Sequence, residues 1–350
     1  MQYKRILSLG TIYYLIPDLY KKNFKVKGFI KSILTRNVSG YLQNNVFKKH
    51  KPVGGVKVMY QHCIMLKEMG YDAYPLVMGD YIGNFFGYDL DIRYINDVGY
   101  ALSANDIIVA SEFLPYMGLE FSGCTKVLFN QSQSWRYYDE KLRKEDKGKS
   151  YIDLGYDYVI NCSGFLSRML KKKMNVDSTV ITNGVDQMRF FPDPSIRVPN
   201  RVLALSRKHP EHIDAIKQAT KDLNYEFRIV DGLTESELIE EYQRADIFLA
   251  TGYPEGFSLP PLEAMSCGCA VVGFSGGGGE EYMVNNDTAL VSIDGDCIDA
   301  ANQLERLLAD KELKERIREA GLAKSKQYSL ENTKAMLDDF YQEVNLKTSK

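Results

Sequence analysis

Two glutamates eight residues apart, Glu255 and Glu263, stand in the stretch Thr251-Gly252-Tyr253-Pro254-Glu255-Gly256-Phe257-Ser258-Leu259-Pro260-Pro261-Leu262-Glu263-Ala264-Met265. The apolar run Ile247-Phe248-Leu249-Ala250 ahead of it predicts a buried strand. Pro260 and Pro261 predict a helix start, where a missing N–H costs nothing. Gly256 lets the backbone approach a ligand closely. The amides of Phe257, Ser258 and Leu259 are then expected to face that ligand with the helix dipole behind them, an anion site suited to a diphosphate. Glu255 precedes the turn. Glu263 falls in the first turns of the helix, where a carboxylate can accept two hydrogen bonds from a ribose diol.

The elements that must carry this stretch alternate between strand and helix. Short apolar runs predict strands at Ile6–Leu9, Asp72–Met78, Asp106–Ala110, Lys126–Phe129 and Tyr158–Ile160, then at Val202–Leu205, Phe227–Val230, Ile247–Ala250 and Ala270–Gly273. Helical patterns fill Val58–Met69, closed by Gly70, then Ser163–Met174, Pro210–Leu223, Glu235–Ala245, Pro260–Cys267 and most of Cys297–Leu346. Tyr137–Ser150 reads as a charged loop or surface helix. Strands alternating with helices argue an α/β class with parallel sheets. At 350 residues the chain suits two doubly wound, Rossmann-like domains facing each other across a cleft. The expected boundaries are 1–183 for the first domain and 184–328 for the second, with 329–350 a C-terminal helix.

The stretch around Glu255 resembles the E-x7-E signature of the family-4 retaining glycosyltransferases, which have the GT-B fold. The likeness extends through Glu255-Gly256-Phe257-Ser258-Leu259-Pro260-Pro261-Leu262-Glu263-Ala264-Met265-Ser266-Cys267-Gly268 to Ala270-Val271-Val272 and Glu280-Glu281-Tyr282. Asn183-Gly184-Val185-Asp186 with Phe190 is similar to the family's interdomain segment. Gly54-Gly55 before a helix looks like its N-terminal glycine loop, so the resemblance implies that Gly55 approaches donor phosphates or acceptor. It further implies that Glu255 approaches the donor sugar and Glu263 holds the ribose, that residues 1–183 bind the acceptor and 184–328 the nucleotide sugar, and that the helix at 329–350 crosses back to the first domain. An Arg and a Lys five residues on grip the diphosphate in the family. Arg207 fits the first role, but His212 stands in the second place. Lys208 either substitutes for the missing lysine or points to solvent. Where many relatives have a histidine, this chain reads Asn130-Gln131-Ser132-Gln133, and a neutral amide there can orient an acceptor but cannot act as a base. None of His50, His62, His209 and His212 has an evident catalytic role. A retaining transfer in which the leaving phosphate takes the acceptor proton needs none.

The glycine run Gly276–Gly279 lies too late in its half for a dinucleotide fingerprint. It either gives room for the donor sugar near Glu280 and Glu281 or forms a flexible loop. Trp135, the single tryptophan, stacks on a sugar or packs in the core or rim. No metal-binding Asp-x-Asp pattern is expected in this architecture, and the resemblance implies neither cofactor nor metal.

A formal net charge of −2 makes the chain as a whole neither a nucleic-acid binder nor acidic-tailed. The six cysteines show no C-x-x-C spacing and read as reduced thiols of a cytoplasmic protein, Cys267 and Cys269 as small buried residues. The N-terminus turns polar too soon for a signal peptide. Tyr20–Pro52 is different: it has nine Lys or Arg, no Asp or Glu, and interleaved aromatics, so the remainder carries −11. It is either a solvated insertion or a basic lip for an anionic partner. Acceptors open at this stage are a surface glycan, a glycolipid reached by peripheral contact with an anionic membrane, and a modified nucleic acid. A non-catalytic binding module on a degenerate transferase fold is the reading from a different class.

Overall fold

The computed structural model describes residues 9–16, 54–79, 90–133 and 142–348, with residues 29, 30, 32, 33, 38 and 88. Most of the basic segment, Trp135, residues 137–141 and residues 6–8 of the expected first strand lie outside the described residues. Two compact units emerge. The first comprises Met1–Leu128, Gly155–Asp157 and Val344–Lys350; the second comprises Phe129–Leu154 and Tyr158–Glu343.

In the first unit, β1 (Ile12–Ile16) is the hub of a parallel sheet. It pairs with β2 (Ala73–Val77) in the register Ile12↔Ala73 and with β4 (Ile107–Ser111) in the register Ile12↔Ile107. The two-residue β3 (Arg93–Tyr94) flanks β2. Helix α1 (Gly54–Glu68) buries Val56, Val58, Met59, Tyr60, His62, Cys63, Met65 and Leu66, and Gly70, at a φ of 88°, ends it. Strand β5 (Thr125–Asn130) is divided between the units after Leu128. The same sheet runs in the order β3-β2-β1-β4-β5 and on through β6 (Tyr158–Asn161) and β7 (Thr179–Val180).

The second unit adds helix α2 (Gly164–Met174), capped by the Ser163 hydroxyl, which accepts from the Leu166 amide at 3.1 Å. Its own five-stranded sheet has the order β12-β11-β10-β8-β9. The strands are β8 (Arg201–Leu205), β9 (Glu226–Val230), β10 (Ile247–Ala250), β11 (Ala270–Phe274) and β12 (Leu290–Ser292), paired in parallel throughout. Helices α3 (Pro210–Ala219), α4 (Glu235–Arg244), α5 (Leu259–Ser266), α6 (Cys297–Ala309), α7 (Lys311–Ser325) and α8 (Leu330–Thr348) connect and cover it. The helix from Pro210 stops at Ala219, where the Thr220 hydroxyl turns back to the Ile216 carbonyl at 2.9 Å, short of the expected Leu223.

The core of this sheet is Val202, Ala204, Ile247, Leu249, Ala270, Val272 and Phe274 against Ile213, Ile216, Leu304, Leu307 and Ile317. Each such aliphatic side chain contributes roughly 1.5–3 kcal/mol by leaving water. At the amino end of β10, buried Asp246 accepts from Lys314 Nζ at 2.7 Å, the Asn200 amide at 2.9 Å and the Arg318 guanidinium. Burial alone pushes its carboxyl up, but these donors outweigh it and hold the group below the usual aspartate range. No described helix is long and apolar enough to cross a membrane.

The chain runs from β8 outward to β9, then returns to β10 on the other side of β8 and continues to β11 and β12. The switch point therefore falls between the carboxyl ends of β8 and β10, where open parallel sheets bind ligands. Both carboxyl ends lead directly into the stretches that the sequence singles out.

Candidate active site

After β8 the chain presents Arg207 and Lys208 before His209, at a φ of 49°, starts α3. After β10 it presents Glu255. Lys208 Nζ lies 2.7 Å from Glu255 Oε1 and also donates to the Pro254 carbonyl at 3.0 Å. Arg207 lies farther out, 3.8 Å from the same oxygen and with 60% of its side chain exposed. Of the two alternatives for Lys208, then, the side chain turns inward. Two cations thus converge on one carboxylate.

The backbone of Glu255 is fixed from three directions. Its amide donates to the Gly276 carbonyl at 2.8 Å, and its carbonyl accepts from the Gly278 amide at 3.1 Å. Gln133 Nε2 donates to that carbonyl at 3.3 Å and to Gly276 O at 2.8 Å. In the 130–133 stretch the Gln133 amide thus holds the Glu255 loop, and Asn130 is engaged with Ser132 O at 2.9 Å and the Tyr151 hydroxyl at 3.0 Å.

Gly256 is in close backbone contact on one side. A Cβ there would come within 2.0 Å of Gln131 O, so what this backbone approaches closely is another backbone. Its own carbonyl accepts from the Ser163 hydroxyl at 2.6 Å. Gly276 and Gly277 have positive φ, and a Cβ on Gly278 would stand 2.0 Å from Gly256 O. The four glycines form a packed turn against the Glu255–Phe257 backbone, not a flexible loop. Glu281 caps the Phe165 amide at 2.8 Å and Glu280 pairs with Arg168, so both carboxylates are committed to the start of α2.

Phe257 is buried, its ring 5.7 Å from those of Tyr282 and Tyr328, and so anchors the loop. Ser258 takes a φ of 63° and leads into α5, whose second and third residues are Pro260 and Pro261. Among the described residues, the amides of Phe257, Ser258 and Leu259 donate to no turn, loop or cap acceptor. Glu263, one turn into α5, is 9% exposed, and its Oε2 accepts from the Tyr242 hydroxyl at 3.2 Å. Burial, then the Glu263 charge, push the Tyr242 hydroxyl well above the usual tyrosine range, so it stays protonated and a donor.

Arg207, Lys208, Glu255 and Gly256 are thus brought to one switch point, with Phe257, Ser258, Leu259 and Glu263 continuing from it. Gly55 belongs to the first unit, where it lies in the first turn of α1. Sequence reasoning missed the contacts of Tyr242 with Glu263 and of Gln133 with Glu255, and a stack of three rings. Tyr253 lies parallel to His209 at 4.3 Å and to His212 at 5.6 Å, while the two imidazoles are 5.0 Å apart. Phe274 closes the stack edge-on to Tyr253 at 5.7 Å. His212, in the place of the family lysine, therefore packs beneath Tyr253. The only signal in the sequence was the His-Pro-Glu-His spacing at a helix start. Cys267 and Cys269 are buried free thiols, as expected; burial pushes Cys269 up to about 12.

Residues 211–324 match the family described as glycosyl transferases group 1. The serotype-specific mannosyltransferase WbdA of Escherichia coli is 29% identical over 154 residues, 41% of this chain and 17% of that protein. The D-inositol 3-phosphate glycosyltransferase of Corynebacterium aurimucosum is 32% identical over 105 residues, 30% of this chain and 25% of that one. The matched region spans less than a third of the length of these curated relatives. Among solved structures, the sucrose-phosphate synthase of Thermosynechococcus elongatus superposes with a TM-score of 0.68 at 14% identity, over 95% of this chain and 98% of that one. Anabaena HepE in complex with UDP-glucose gives 0.67 at 14% identity, over 95% and 99%. Residues 211–324 are therefore a domain of the glycosyl transferases group 1 family, carried in a chain of GT-B fold.

Proposed function

We propose that the protein is a retaining glycosyltransferase that moves a sugar from a nucleoside diphosphate sugar to an acceptor hydroxyl, in the cytoplasmic assembly of a surface glycan or glycolipid. The observation that carries this reading is the convergence of Lys208 and Arg207 on Glu255 at the β8/β10 switch point. The amides of Phe257–Leu259 and the buried Glu263 follow directly. Such a set can balance a diphosphate, approach a sugar and hold a ribose. The names of the curated relatives, a mannosyltransferase and a glycosyltransferase, support sugar transfer. The UDP-glucose bound by HepE supports a nucleotide donor.

In the reaction the bond from the anomeric carbon to the diphosphate oxygen breaks, and the acceptor oxygen bonds to the same face. The acceptor proton passes to the leaving phosphate, so no side-chain base is needed. Arg207, Lys208 and the α5 amides stabilise the charge that develops on the diphosphate. Glu255 lies beside the sugar that becomes oxocarbenium-like. In this reading the transfer step needs no Mg²⁺ or Mn²⁺, because fixed cations take that part.

The test is a thermal-shift screen against UDP-, GDP-, ADP- and dTDP-sugars, since a ligand of the folded state raises the midpoint by mass action. One nucleotide class should stabilise the protein, and Glu263→Ala should lose the response. Glu255→Gln should keep the shift and lose turnover, with or without added Mg²⁺. No response to any nucleotide, together with no donor hydrolysis, would overturn the proposal.

A further inference from the structure

The three-ring stack holds two imidazoles and a carboxylate in a geometry that the transfer reaction does not use. His209 Nε2 lies 2.8 Å from the Tyr253 carbonyl. A carbonyl only accepts, so Nε2 carries the hydrogen and Nδ1 is the nitrogen left to bind something. That Nδ1 faces Glu211 Oε1 at 3.0 Å. A proton on Nδ1 can bridge this pair, and so can a metal ion that takes a lone pair from each side. Two donor atoms on one tetrahedral zinc-like ion, at bond lengths of about 2.1 Å, stand about 3.4 Å apart, so this pair need open only slightly to admit the ion. His212 supplies the third group: the ligand atoms of His209, Glu211 and His212 all lie within 4.8 Å of one another. Its Nδ1 is buried and meets no hydrogen-bond partner in the protein.

We infer that His209, Glu211 and His212 form a binding site for one divalent transition-metal ion of the zinc class, outside the proposed donor site. Two imidazoles and one carboxylate are a donor set that zinc takes with a water in the fourth position, and magnesium or calcium does not favour it. The support around the ligands is already built. A metal-binding histidine characteristically donates its other N–H to a carbonyl or carboxylate, and Tyr253 O is that acceptor for His209. The Tyr253 ring holds both imidazoles parallel, within 15°. Glu211, with 63% of its side chain exposed, is free to swing the remaining distance onto the ion. An ion here ties the first turn of α3 to the Tyr253 carbonyl, and so fixes the loop of Arg207 and Lys208 against the loop of Glu255.

The test uses the untagged full chain, stripped of metal and titrated with Co²⁺ while the visible d–d absorption is recorded, followed by competition with Zn²⁺. We expect one equivalent bound, displaced by Zn²⁺ and not by Mg²⁺, with a higher thermal midpoint when loaded. Glu211→Gln, a change at an exposed side chain, should weaken Co²⁺ binding at least tenfold, and His212→Ala should abolish it. The metal-free thermal midpoint of each variant reports its folding. Absence of a one-equivalent titration would overturn the inference. So would a titration unchanged in folded Glu211→Gln and His212→Ala, which would put the ion elsewhere. No nucleotide sugar enters the measurement, so its result stands apart from the transferase reading.

Discussion

Lys208 Nζ is 2.7 Å from Glu255 Oε1, although the two residues belong to different loops, one after β8 and one after β10. The pair places the carboxylate proposed to serve the sugar within reach of a cation proposed to serve the diphosphate. Removing either should therefore have a distinct signature. Lys208→Gln should lower kcat/KM for the donor roughly tenfold to a hundredfold, mostly by losing transition-state charge stabilisation, the scale of a single lost electrostatic donor. Glu255→Gln should lower kcat by a similar or larger factor with donor affinity retained. Steady-state kinetics beside equilibrium binding of the nucleotide sugar separate the two. Equal losses of binding in both variants would contradict the division of roles.

Tyr242 is entirely buried and its hydroxyl reaches Glu263 Oε2 at 3.2 Å. If Glu263 holds the ribose as proposed, the phenol is a positioning group that fixes one oxygen of its carboxylate. Tyr242→Phe keeps the ring's packing against Phe190 and Phe248 and removes only the donor. A lost hydrogen bond to a charged group is worth about 1.5–3 kcal/mol, so donor affinity should fall by about tenfold to a hundredfold. Isothermal titration with the nucleotide measures it. The kcat at saturating donor should change little, which distinguishes positioning of the ribose carboxylate from a part in the chemistry.

Much of this architecture was legible because parallel strands buried on both faces read as unbroken apolar runs, as Ile247–Ala250 does. The two- and three-residue strands β3, β7 and β12 were missed, and the first strand was expected at Ile6–Leu9 whereas β1 runs Ile12–Ile16, where tyrosines interrupt the aliphatic run. Glu255 and Glu263 were legible through the words around them. The partners that set their geometry were not, because those contacts join distant residues: Gln133 to Glu255, Tyr242 to Glu263, Ser163 to Gly256. A local pattern records that a glycine is needed at 256 but not what comes close to it. Likewise His212 read as a departure from a lysine, and its place under Tyr253 became visible only once β8 and β10 lay side by side.

That difference at Gly256 gives a third prediction. A Cβ at this position would lie 2.0 Å from Gln131 O and 2.8 Å from its carbonyl carbon, both backbone atoms that no rotamer change can move. Gly256→Ala should therefore destabilise the protein by about 1–3 kcal/mol, the usual cost of overpacking. The thermal midpoint should fall by roughly 2–4 °C per kcal/mol in a unit of this size. If Gly256 instead serves only ligand approach, the ligand-free midpoint will not move and the loss will appear solely in donor binding. Comparing the two midpoints, free and with saturating nucleotide, decides between these.

The first unit offers a test of pH dependence that is independent of the site. His62 is fully buried in α1, and burial pushes its imidazole down to about 3 from an ordinary 6.5. Its Nδ1 lies 3.2 Å from the Tyr14 hydroxyl, a bond that the neutral ring can accept and the protonated ring cannot. Below pH 6.5 the unfolded chain takes up a proton at His62 while the folded chain does not. The stability that neutral His62 contributes is therefore complete above pH 6.5 and is lost progressively as pH falls from 6.5 toward 3. The slope for one such group approaches about 1.4 kcal/mol per pH unit. Between pH 6.5 and 5, before carboxylates begin to titrate in number, the urea midpoint should fall for the native sequence, and His62→Gln should flatten that fall by one proton's worth. An unchanged slope in the variant would mean that His62 takes up its proton in the folded state as readily as in the unfolded one, and that the burial of its ring does not hold it neutral.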